Sequence, residues 1–434
     1  MPGWIEQVYL ERVGWDHLEQ LCNIDNRLPG TDGEKSAAKA TERTFDEFDA
    51  VETVVETFDI LRWEREKCRL SGIIDYSGFE AVALPRSPST MASGPVIDLG
   101  YGMPSDFEEE AIENAIVLVR SDNSPDSSRT IHRREKYCRA VSGGAAGFIF
   151  QHHKSGCLPV TGSIGTDSSP IGKIPAVGTS KELGERLRRT NGQELELSVS
   201  CHTSYETSRN VHAVMGPDTE KEVIVVAHMD AHDICSGAVD NASGVATLVE
   251  IAAALNRRIN ELETQVRLVA VGAEEVGYVG SDHLADRMTD IKTVVNIDSV
   301  AARPSLQFMT NGFEPFGPAV NNVLDRTGTS GVIIEKQQPY SDHWPFVKRG
   351  IPGLAVTNTP PAGGRSWGHT PADTLDKVDQ RCFVDHAIAL TELIVEIAND
   401  EFKIDSKTPS EIAQLLVQDG AAAGLRAVDE WDFE

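Results

Sequence analysis

No run of eighteen consecutive apolar residues occurs in the chain, so no segment is predicted to span a membrane. Cysteine is sparse. Seven are scattered with no C-x-x-C pair, which argues against a disulfide framework and for a reducing, cytoplasmic setting. The opening MPGWIEQVYLERVGWDHLEQ is acidic and interrupted, and no leader peptide is expected from it. Positive charge is also scarce: 40 Lys and Arg face 67 Asp and Glu, for a net charge of −27. Such a field disfavours nucleic acid and anionic membranes as partners. It matches the acidic, lysine-poor surface of proteins from salt-loving organisms. No G-x-S-x-G, Walker loop or Rossmann fingerprint is present, which removes the serine elbow, the P-loop and the dinucleotide site. Internal repeats and low-complexity tracts are absent too.

What is present centres on Val223 to Gly244, VIVVAHMDAHDICSGAVDNASG. Val223 to Val226 read as a buried strand. His228-Met-Asp230 stands at its end, and Asp240 follows twelve residues after His228. Val245, Leu248, Ala252, Leu255 and Ile259 then repeat at helical spacing. A strand, a polar loop and a helix in that order put the loop where open α/β sheets bind ligands.

The 434 residues divide into four stretches. Residues 1–75 read as mostly helical, with a Pro/Gly turn at Arg27-Leu-Pro-Gly-Thr31-Asp-Gly33 that connects helices or reaches over a site. Residues 76–202 alternate short apolar runs with Gly, Pro and Ser, which predicts a small strand-rich domain with helical patches near Arg133 and Lys181. Residues 203–405 alternate strands and helices, with strands at Val223–Ala227, Val266–Val271, Val294–Ile297, Val332–Glu335 and Gly353–Val356. That is the pattern of a largely parallel sheet covered on both faces. Residues 406–434 form an acidic tail whose Thr408-Pro-Ser-Glu411 is a capping box. Its apolar Ile412, Leu415 and Leu416 predict docking on the main domain or on a second copy in a homo-oligomer.

Four loops after predicted strands carry acids or imidazoles. They hold His228, Asp230 and Asp240; Glu274 and Glu275; Asp298; and His369 with Asp373. If the strands are parallel neighbours, all four open at one edge of the sheet. Imidazole and carboxylate converging there suit Zn²⁺ or a similar cation. Cys235 lies close by, but it has no paired histidine motif.

In order and context, H-x-D, D-N-A-S-G, G-A-E-E-x-G, N-x-D and H-T-P-x-D-T resemble the M28 family of co-catalytic zinc metallopeptidases. The likeness covers roughly Thr203 to Ala398, and residues 76–202 resemble an inserted protease-associated domain. The resemblance implies a three-layer αβα sandwich with a mostly parallel mixed sheet, two divalent ions (Zn²⁺) and a peptide substrate. It implies that His228 and Asp298 hold one metal, Glu275 and His369 the other, with Asp240 bridging. Glu274 becomes the general base and acid, and Asp230 orients His228. It also implies a cis peptide between Asp240 and Asn241.

Specificity is less determined. Some relatives place Tyr just before the last histidine ligand; here that residue is Gly368, which leaves Tyr340 and His343 as candidate substrate contacts. Arg365, in a Gly-rich loop, suits a substrate carboxylate and would favour a carboxypeptidase or dipeptidase. Without such a pocket, a free amine meeting acidic residues favours an aminopeptidase. A non-catalytic receptor on this scaffold and an aminoacyl cyclase with one metal are the other readings.

Overall fold

A computed structural model describes residues 3–166, 168–361 and 367–433. The chain forms two compact units, one of residues 1–60, 206–368 and 373–419, the other of 61–205, 369–372 and 420–434.

The first unit is built on a mixed sheet. The strand Glu222–His228 pairs in parallel with Gln265–Val271 on one side and Ile291–Ile297 on the other, and Gly353–Asn358 follows, also parallel. Ser305–Met309 then runs antiparallel to Gly353–Asn358 and carries Ser330–Ile334 at the edge. At the opposite side, residues 211–215 run antiparallel to Gln265–Val271. Val223, Ile224, Val225 and Val226 are all fully buried, as a strand covered on both faces requires. Side chains alternate across the sheet, so Ile224 and Val226 pack with Leu284, Ala285 and Phe346 on one face. The other face receives the helices Ser243–Arg257 and Gln380–Ile397. The result is a three-layer αβα arrangement. His228 pairs with Val271 in register, so the parallel strands end together and their carboxyl-end loops open at one edge.

By length and composition alone the stretch Ala238–Arg257 is long and apolar enough to cross a membrane. Its most apolar window is wholly buried, which makes it the core helix of the unit rather than a lipid-facing one. Glu250 interrupts it. Its carboxylate accepts from Gly14 N at 2.8 Å. Burial pushes its pKa up to about 7, against the pull of that hydrogen bond. A carboxyl raised in the fold favours folding only while protonated. Its contribution is full below about pH 4.3, the unfolded value, and is lost as pH rises through about 7. Glu250→Gln should therefore flatten the fall in stability between pH 5 and 8, by on the order of 3 kcal/mol at most. Denaturant midpoints at the two pH values measure it, and an unchanged slope would remove Glu250 from the account.

The second unit has parallel strands Thr90–Asp98, Ile116–Arg120, Gly147–Gln151 and Ala176–Thr179, with Ala81–Ala83 antiparallel at the edge. Helices Arg133–Ser142 and Lys181–Arg188 accompany them. Its core gathers Val117, Val119, Phe148, Phe150 and Tyr137.

Two expectations need correction. The first stretch is not helical throughout: Asp32–Phe45 ends the last of its helices, and Glu52–Gly72 is a long strand paired with Glu194–Met215. The apolar spacing around Val54 and Val55 looks helical. The segment that follows obeys a period of two, with Phe58 and Ile60 buried and Thr57 and Asp59 exposed. Nor is 406–434 one tail. The helix Pro409–Gln418, with its capping box and with Ile412 and Leu416 fully buried, belongs to the first unit. Residues 420–434 belong to the second, where Glu430 makes a bidentate ion pair with Arg134.

Candidate metal centre

His228 is the last residue of its strand and is fully buried. Its Nδ1 lies 3.1 Å from the carbonyl oxygen of Asp230. A carbonyl can only accept, so Nδ1 carries the proton and Nε2 presents a lone pair. That Nε2 faces Asp240 Oδ1 at 3.4 Å and Asp298 Oδ1 at 3.8 Å, with no hydrogen bond to either. Ligand atoms of all three residues fall within 4.8 Å of one another. An imidazole lone pair and two carboxylates converging in a buried place repel unless a cation joins them. Burial lowers the pKa of His228, but Asp230, Asp240 and Asp298 outweigh burial and hold it well above the usual histidine range. The nitrogen and oxygen donor set fits a zinc-like ion.

Each ligand is held by the loops around it. Asp240 starts a cis peptide to Asn241 inside the turn Ala238–Ala242. The Asn241 amide donates to Ile297 O at 2.9 Å and accepts from Gly244 N and Ser299 N at 3.0 and 3.1 Å. It thereby ties the Asp240 loop to the Asp298 loop. The two oxygens of Asp373 accept from Val239 N and Asp240 N at 2.8 and 3.0 Å. Asp298 Oδ2 accepts from Ser341 Oγ at 2.9 Å, and that hydroxyl accepts from Asn296 Nδ2 at 2.8 Å.

The Glu274-Glu275 turn is gripped in the same way. Asp230 Oδ1 accepts from Glu274 N at 3.1 Å and Oδ2 from Glu275 N at 3.0 Å. Asp230 thus meets His228 mainly through its carbonyl, while its carboxylate positions the two glutamates. Ala273 just before them is left-handed at φ 63°, as is Ser299 after Asp298 at 59°. Such strain is held where the surroundings over-determine a site. Burial pushes the Glu274 carboxyl well above the usual range. Glu275, Asp342 and Asp298 add to the shift, and His228 opposes it.

His232 is buried with Nε2 2.9 Å from Glu275 Oε2. His369 falls in the second unit, where its Nδ1 lies 3.2 Å from Thr161 O and 3.5 Å from Arg133 Nη1. Burial pushes the Cys235 thiol far up, which leaves it protonated and a poor nucleophile.

Of the substrate candidates, Tyr340 is half-buried and precedes Ser341, the residue bound to Asp298. His343 is fully buried. It leads into the short helix Trp344–Val347, whose residues are all buried, and its ring is carried fully into the interior. Arg365 lies outside the described residues. Sequence reasoning gave no role to Asn241, Asp373, Ser341 or Arg27. The first two stood inside quoted motifs and the last inside the flagged turn, whereas nothing local marks Ser341.

Residues 210–394 match the family model of Peptidase family M28, and residues 92–187 match that of the PA domain. The chain is 26% identical to the aminopeptidase YwaD of Bacillus subtilis, over 92% of this chain and 87% of that one. It is 27% identical to a probable lipoprotein aminopeptidase, LpqL, of Mycobacterium tuberculosis, over 84% of this chain and 80% of the other. Among solved structures it resembles BSAP, described as a zinc aminopeptidase from Bacillus subtilis. That likeness has TM-score 0.70 and 24% identity, over 90% of this chain and 95% of that one.

Proposed function

Because this chain belongs to peptidase family M28 and carries a PA domain, we propose that it is a metal-dependent aminopeptidase working through two divalent ions, Zn²⁺ by preference. The observation that carries this is the buried convergence of His228 Nε2 on Asp240 and Asp298. In this reading His228 and Asp298 would hold one ion, Glu275 and His369 the other, and Asp240 would serve both. When bound, the ions supply positive charge that acidifies a water and polarises the scissile carbonyl. Glu274 takes the proton from that water and passes it to the leaving amine; its raised pKa suits both steps. Asp230 holds the Glu274-Glu275 turn so that one side chain binds metal while its neighbour moves protons. The surplus of carboxylates favours a substrate ammonium over a substrate carboxylate. The aminopeptidase names of the relatives support the same choice.

The test compares amino-acid anilides with their N-acetylated forms, before and after chelation. Free-amine substrates should be cleaved, a chelator should abolish cleavage, and zinc or cobalt should restore it. Cleavage of N-blocked peptides with free C-termini at the same rate would instead favour a carboxypeptidase. A folded protein that takes up no metal would favour a receptor. The acidic composition and the free state of all seven cysteines support a cytoplasmic, salt-adapted enzyme. The same assay across potassium chloride concentrations tests the second part, which fails if activity peaks at low salt.

A further inference from the structure

Arg27 is a fully buried guanidinium that makes no ion pair among the described residues. Its Nε donates to Met229 O at 3.0 Å, Nη1 to Leu21 O and Ser236 O at 2.8 and 2.7 Å, and Nη2 to Gly237 O at 3.1 Å. Its own carbonyl accepts from Ala231 N at 3.1 Å. Met229 follows His228, and Ser236 and Gly237 stand shortly before Asp240. One side chain therefore gathers both ends of the loop that separates two candidate metal ligands. Its charge also faces Asp230 and Asp373, the two carboxylates that hold the backbone of Glu274, Glu275 and Asp240.

The surroundings are shaped to this one contact. Gly237 is left-handed at φ 52°, and a Cβ there would meet Ala231 Cβ at 2.4 Å, Asp240 O at 2.7 Å and Arg27 Nη2 at 3.1 Å. The turn that presents Arg27 is fixed by Thr31, whose hydroxyl donates to Asn26 O and Leu28 O. Glu34 completes it by accepting from Gly30 N at 2.7 Å. Burying a charge among carbonyls costs desolvation that apolar packing would avoid. Only a planar fork reaches several carbonyls at once, and a lysine ammonium does not reproduce it.

We propose that Arg27 is a positioning residue of the metal centre: by clamping residues 229–237 it fixes the placement of His228 relative to Asp240, and so sets metal affinity. This rests on the two-metal reading above. The bland alternative is a strut that only stabilises the fold.

The test is zinc affinity of the full chain, measured by competition with a chromophoric chelator, beside the melting temperature of the metal-free protein. Arg27→Lys should weaken zinc binding by about ten- to a hundredfold, the usual cost of losing a group that orients a ligand. The metal-free melting temperature should fall, because buried carbonyls lose their donor, but by less than the affinity loss requires, and activity should return in excess zinc. Gly237→Ala should produce the same loss with the guanidinium intact, and it decides the matter if Arg27→Lys does not fold. Wild-type affinity in both variants, or an affinity loss that only tracks lost metal-free stability, overturns the proposal. A wild-type chain that binds no zinc overturns the two-metal reading itself.

Discussion

Glu274→Gln is expected to keep its metal and lose catalysis by about 10²–10⁴-fold in kcat. The substitution keeps the shape of the side chain and the backbone N–H that Asp230 accepts, so the turn and Glu275 stay where they are. What it removes is the exchangeable proton. In the fold that proton binds tightly, because the carboxyl is sheltered from solvent with Glu275, Asp342 and Asp298 near it. A carboxyl raised in this way can take a proton from water and give it up again when a leaving amine needs one. Zinc content by elemental analysis and kcat on an amino-acid anilide should separate the two effects. An active Gln variant would mean that another group moves the proton.

Asp240→Asn should act on the metal itself. The change keeps size and removes the charge that faces His228 Nε2. A residue that merely orients a ligand is worth about ten- to a hundredfold in affinity, so losing the ligand makes that a floor. A metal that binds only the folded chain stabilises it by about 4 kcal/mol at a thousand times Kd. The wild-type melting temperature should therefore climb with added zinc while that of Asp240→Asn stays flat. Equal metal content in the two proteins would take Asp240 out of the site.

The strand ends were readable because their signals are local. A four-residue apolar run, then an imidazole or acid, then a Gly-rich loop needs no knowledge of distant contacts. The partners of those residues were not readable for the opposite reason. Arg27 and Met229 are 202 residues apart, and nothing near Arg27 says that carbonyls await it. Ser341 reaches Asp298 across 43 residues from a left-handed backbone at φ 74°. The burial of His343 was not readable, because a histidine in a polar turn looks available. The buried Trp-Pro-Phe-Val helix after it takes the ring inward. The strand Glu52–Gly72 misled because doubled valines fit either period.

The order in which the pieces leave the ribosome has its own effect. The first unit takes its opening sixty residues from the start of the chain and the rest from beyond Tyr205. At roughly 5–20 residues per second, the helix bearing Trp15, Leu18 and Leu21 waits on the order of ten to fifty seconds for the helix Ser243–Arg257 that covers it. Throughout that interval only the helix Asp32–Phe45 is at hand to cover them, and the rest of that surface stays open to chaperones.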